Sequence, residues 1–185
     1  MLRYAKSICV FCGARQGKLA KFTADARVLG GALAQENWRL VFGAGDQGIM
    51  GAVAQAVDDA GGQSLGIIPT HLMGREQAGG AKRDFLITEN MHERKKVMFM
   101  NSDAVVVLPG GAGSLDEFFE VLTWRQLGLH EKPIILLNTE GYWTPLIRLL
   151  DHLIAQDFAE QSVRDFVHVV QDVDDAMTVL RAALS

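Results

Sequence analysis

Two runs of aliphatic residues, Ala104-Val105-Val106-Val107-Leu108 and Ile134-Ile135-Leu136-Leu137, constrain this chain more than any other feature. Neither alternates with polar residues, so a strand built from either must bury both of its faces. A parallel sheet covered by helices on both sides supplies that environment. Strand-length apolar segments recur at 7–12, 39–42, 63–68, 85–88, 104–108, 133–137 and 166–170. Between most of them lie stretches with helical periodicity, clearest over 19–36, 49–60, 91–101, 114–129, 144–155 and 173–184. This alternation predicts an α/β fold: a Rossmann-like doubly wound parallel sheet of about seven strands, with helices on both faces.

A length of 185 residues suits one sizeable core, so 1–185 reads as a single Rossmann-like domain. No apolar run approaches the roughly 20 residues of a membrane span. The first residues lack the long apolar stretch and small-residue cleavage site of a secretory signal, so the expected compartment is the cytoplasm. A net charge of −4 argues against a nucleic-acid-coating surface, which needs a basic stripe. It leaves room for a small anion held by backbone amides. The two cysteines, Cys9 and Cys12, lie three apart in or at the end of a strand, where they point to opposite faces. No second pair completes a metal site, and the five histidines are scattered, so no metal is expected.

Three predicted strand ends carry glycine: Cys12-Gly13-Ala14, Gly43-Ala44-Gly45-Asp46-Gln47-Gly48-Ile49-Met50-Gly51, and Pro109-Gly110-Gly111-Ala112-Gly113-Ser114. Ligands of open parallel sheets bind beyond these carboxyl ends. In the third segment, glycines let the backbone approach a ligand, and a helix start near Ser114 favours a phosphate. Ser114 has an alternative role, as an N-cap whose capping box is closed by Glu117. The second segment fits G-x-G-x-x-G, but no acid ends the next strand, which argues against a dinucleotide-dependent dehydrogenase. No P-loop sequence is present. Upstream of the third segment, Met91-His92-Glu93-Arg94-Lys95-Lys96 opens a helix, from which Arg94 and Lys95 can be directed into the cleft. Residues 69–83 form a long polar, glycine-containing connection, suited to a functional loop.

The run from Pro109 to Glu117 resembles the PGGxGTxxE signature of the LONELY GUY family, the cytokinin riboside 5′-monophosphate phosphoribohydrolases once labelled lysine decarboxylases. The resemblance extends to Val10-Phe11-Cys12-Gly13-Ala14, to residues 43–51 (similar to GGGxxGLMG), to Met91-His92-Glu93-Arg94-Lys95, and to residues 123–130. It implies hydrolysis of the base–ribose bond of a nucleoside 5′-monophosphate, either a cytokinin riboside monophosphate or AMP. Arg94 and Glu117 match the catalytic pair. Gly110, Gly111, Gly113 and Ser114, with Ala112 between them, match the 5′-phosphate cradle. Gly13, Ala14, Gly43, Gly45, Gly48 and Met50 fall in the other glycine segments that would contact substrate. Lys95, Glu76 and Thr123 correspond to further contacts. The family also implies a homodimer or an assembly of dimers.

Two departures stand out: Ser114 replaces the usual Thr, and Ala44 a common glycine. The reaction needs no cofactor. A pyridoxal-dependent decarboxylase would need a suitably placed lysine, and no lysine has such a setting. The rival from another class is a non-catalytic nucleotide sensor or carrier, which would keep the glycines but need neither Arg94 nor Glu117.

Overall fold

A computed structural model describes residues 4–73 and 83–185. Seven parallel strands form one sheet: β1 (Ser7–Phe11), β2 (Arg39–Phe42), β3 (Ser64–Pro69), β4 (Asp84–Thr88), β5 (Ala104–Val107), β6 (Ile134–Leu137) and β7 (Val167–Val170), in the order β4-β3-β2-β1-β5-β6-β7. The helices are α1 (Ala20–Gln35), α2 (Gly48–Asp59), α3 (Met91–Met100), α4 (Ala112–Gln126), α5 (Thr144–Ala155), α6 (Ser162–Asp165) and α7 (Val173–Leu184).

Strand residues alternate between two cores, as the pleat requires. Ile8, Val10, Leu40, Val106 and Ile135 pack with α1, α2 and α7 on one face. Cys9, Phe11, Val41, Val107 and Leu136 pack with α3, α4 and α5 on the other. Cys9 and Cys12 therefore belong to opposite cores, both buried and unbridged.

The sequence expectations differ from the structure mainly at element ends. Helix α4 begins at Ala112, with Gly111 as its N-cap in extended conformation, so Ser114 is not a cap and forms no capping box with Glu117. A capping arrangement of that kind opens α3 instead. There the Asn90 side chain accepts from the Glu93 amide at 2.9 Å, and the Glu93 carboxylate accepts from the Glu89 amide at 2.6 Å. Helix α4 also ends earlier than the apolar pattern suggests. Gly128 adopts φ +70°, and the Gly128 and Leu129 amides fold back onto the Arg125 and Trp124 carbonyls. Short elements such as α6 and the 3-10 turn at Thr70–Leu72 carry no periodic signal of their own. Most of the connection at 69–83, residues 74–82, lies outside the described residues. Among the described residues no helix is long and apolar enough to cross a membrane.

Candidate active site

Strand order reverses between β1 and β5, so the connections leaving these neighbours diverge and open a crevice at their carboxyl ends. A cavity of about 500 Å³ occupies it, with Gly13 and Ala14 after β1 and Pro109, Gly110 and Gly111 after β5. The walls are knitted by main chain. The Gly13 amide donates to the Pro109 carbonyl at 3.0 Å, and the Gly13 carbonyl accepts from the Met50 amide at 3.1 Å. Gly110 admits no side chain: a Cβ there would lie 2.0 Å from Ser114 Oγ and 2.9 Å from the Gly13 nitrogen.

The first main-chain bond of α4 runs from the Leu115 amide to the Gly111 carbonyl. The amides of Ala112, Gly113 and Ser114 therefore have no intrahelical partner. Gly111, Gly113 and Ser114 line the cavity, and no acidic side chain occupies the first turn of α4. Such a polarised helix end is suited to an anion.

Glu117 lies one turn deeper on α4 and also faces the cavity. Burial pushes its carboxyl up from 4.5 to about 7; the charge of Arg94 opposes the rise, and Asp116 adds to it. Arg94 itself is buried on α3, and its guanidinium donates to the Gly43 carbonyl. Gly43 is what makes room: a Cβ there would lie 1.9 Å from the guanidinium nitrogen. The remaining walls are largely apolar, formed by Phe22, Ile49, Met50 and Met91. Cys12 joins them as a neutral thiol, since burial and the nearby Glu117 charge push its pKa well up.

Of the residues singled out in the sequence, Gly13, Ala14, Met50, Arg94, Gly110, Gly111, Gly113, Ser114 and Glu117 meet around this cavity. Gly43 contributes through Arg94. Gly45 and Gly48 are not among the lining residues; the Gly45 amide instead contacts the Met50 sulfur at 3.2 Å. Ala112 is exposed beside the cradle, and Thr123 is exposed farther along α4. Lys95 turns away from the cavity to ion-pair with Asp116 at 2.9 Å and Glu120 at 3.3 Å. Glu76 lies outside the described residues. Ala44 stands in the left-handed region at φ +65°, fully buried, with its methyl toward Gly66 rather than the cavity. Sequence reasoning did not mark Arg15, Phe22 or Tyr142 as lining residues. Arg15 directly follows the first glycine segment, but Phe22 and Tyr142 carry no local signal.

A family model described as possible lysine decarboxylase matches residues 50–180. The cytokinin riboside 5′-monophosphate phosphoribohydrolase LOG3 of Arabidopsis thaliana is 43% identical over 162 residues, covering 88% of this chain and 75% of that protein. The cytokinin riboside 5′-monophosphate phosphoribohydrolase of Rhodococcoides fascians is 39% identical over 178 residues, covering 96% of this chain and 90% of its own. The chain belongs to the LONELY GUY family.

Solved structures add the fold. The molybdenum cofactor carrier protein of Chlamydomonas reinhardtii superposes with a TM-score of 0.73 at 22% identity, over 97% of this chain and 98% of that one. The molybdenum cofactor binding protein of Rippkaea orientalis gives 0.73 at 22% identity, over 98% and 99%. The decarboxylase wording of the family description does not fit the donor set. Pyridoxal chemistry needs a lysine for the Schiff base, and the described cavity residues include none.

Proposed function

We propose that this LONELY GUY family member hydrolyses the N-glycosidic bond of a nucleoside 5′-monophosphate, a cytokinin riboside monophosphate or AMP, releasing free base and ribose 5-phosphate. The observation that carries the proposal is the Glu117 carboxyl, partly buried in the cavity that Arg94 also lines, one helical turn beyond a helix start suited to an anion. The 5′-phosphate binds the amides at Gly111, Gly113 and Ser114. Anchoring this remote group positions C1′ near Glu117 and converts binding energy into orientation. As the base departs, the ribose gains positive charge, and the ionised Glu117 stabilises it or activates the attacking water. Arg94 holds Glu117 closer to its ionised form. Arg94 and Glu117 are thus the proposed catalytic pair. A carrier would use the amides equally well but gains nothing from a partly buried carboxyl whose ionisation is this costly.

Thr123 and Lys95 lie off the described cavity, and their proposed contribution is at a site completed by a second subunit. Exposed Met100, Leu127 and Leu129, at the carboxyl ends of α3 and α4, support a homodimer. Light scattering on the eluting protein tests it, and a monomer would refute it. The proposed compartment is the cytoplasm, and the proposed unit is the whole chain as one nucleotide-binding domain.

Incubation of the pure protein with AMP and with N6-isopentenyl-AMP tests the reaction. Release of free base and ribose 5-phosphate from either is expected. Intact nucleotides after prolonged incubation would overturn the proposal.

A further inference from the structure

We propose that Tyr142, which no family motif discussed above includes, is a positioning residue that keeps the phosphate cradle aimed at its anion. The proposal rests on the phosphate-binding reading of the Gly110–Gly111 segment. The Tyr142 hydroxyl donates to the Gly110 carbonyl at 2.6 Å, and Tyr142 lines the same cavity as Gly110, Gly111 and Ser114.

The peptide unit that Tyr142 grips lies between two glycines. With no Cβ on either side, such a unit rotates more freely than one flanked by residues that carry side chains. A trans peptide points its C=O and N–H in opposite directions, so the carbonyl's partner decides where the next amide faces. Held by the phenol, the Gly110 carbonyl is committed to Tyr142, and the Gly111 amide is aimed the opposite way. Rotation of that peptide would turn a carbonyl dipole toward the anion and remove a donor from it.

The loop carrying Tyr142 is itself braced. Glu140 at φ +52° and Gly141 at φ +72° turn the chain sharply after β6. Asn138 Oδ1 accepts from the Trp143 amide at 2.7 Å. Thr139 Oγ1 donates to Asp25 on α1 at 2.7 Å, both residues being buried. The ring of Tyr142 meets Phe22 of α1 edge-on at 5.3 Å. Two separate elements thus converge to place one hydroxyl on one carbonyl. Because Tyr142 is 39% exposed, water can partly replace that bond, so its loss weakens the cradle without abolishing it.

Tyr142→Phe removes only the hydroxyl. Its expected effect is a rise of about tenfold in the inhibition constant of ribose 5-phosphate and in the KM for AMP. Inhibition by adenine, which has no phosphate, and kcat at saturating AMP should stay within about twofold of the parent. Thr139→Val, which leaves the phenol intact but cuts its loop from Asp25, should give a smaller loss of the same kind, and it carries the test if Tyr142→Phe does not fold. Unchanged ribose 5-phosphate inhibition in the folded variants would overturn the proposal, as would equal weakening of adenine and ribose 5-phosphate. The parent is assayed alongside. If it releases no base from AMP and binds no ribose 5-phosphate, the phosphoribohydrolase reading fails rather than the role of Tyr142.

Discussion

Replacing Glu117 by Gln should abolish turnover and, on the same physical grounds, make the protein more stable as pH rises. The native state lifts this carboxyl from 4.5 to about 7 through burial. A group with a raised native pKa binds its proton more tightly in the folded chain. Folding therefore loses stability as pH climbs from the unfolded value through the native one. At about 1.4 kcal/mol per tenfold change in proton affinity, the full cost is about 3 kcal/mol, reached above neutrality. Most of it, roughly 2–3 kcal/mol, develops between about pH 5 and pH 8. Gln carries no charge at any pH and escapes this cost.

Thermal unfolding of parent and variant across that range should show the difference in Tm widening in the variant's favour by about 5–10 °C. The absolute offset at one pH also contains the packing of the Gln amide, so the widening is the quantity that decides. Other titrating groups cancel in the comparison. Ribose 5-phosphate should still bind the variant. A pH-independent difference would refute the burial argument, and appreciable base release from AMP would refute the catalytic assignment.

Other consequences follow from the same site. Arg94→Ala should lower kcat/KM for AMP by about 100-fold or more, and Gly43→Ala should approach this loss because its methyl displaces the guanidinium; a variant within a few-fold of the parent would count against the role of Arg94. If the ionised Glu117 acts, kcat/KM should rise with pH through about 7, and Arg94→Gln should move that rise to higher pH by removing the cation that favours ionisation; a falling profile would assign the protonated form instead. Gly110→Ala should weaken ribose 5-phosphate inhibition more than tenfold while leaving a folded protein by circular dichroism, because the added carbon collides with Ser114 Oγ.

Much of the fold is legible locally. A run such as Ala104-Val105-Val106-Val107 has no polar face to offer water, and its four residues are all fully buried in the structure. Element ends are less legible, because they depend on single residues whose conformation the surroundings select. Gly111 caps α4 in place of Ser114, and Gly128 ends it before the apolar pattern does. The glycine segments after β1 and β5 read as a site because both the close approach and the helix start are encoded within a few residues.

The sequence by itself determined which segments are strands, that the sheet is parallel and covered on both faces, and that glycine-lined helix starts stand at its carboxyl edge. Short-range patterning suffices for these, since each depends on burial or backbone freedom within one segment. Tertiary structure alone decided which side chains share the cavity. Arg94 and Lys95 are adjacent in sequence, yet about 100° of helical rotation separates them, so one faces Glu117 while the other pairs with Asp116 and Glu120. Phe22 and Tyr142 reach the cradle from loops and helices far apart in the chain. They meet because β1 and β5 become neighbours at the point where the sheet's winding reverses.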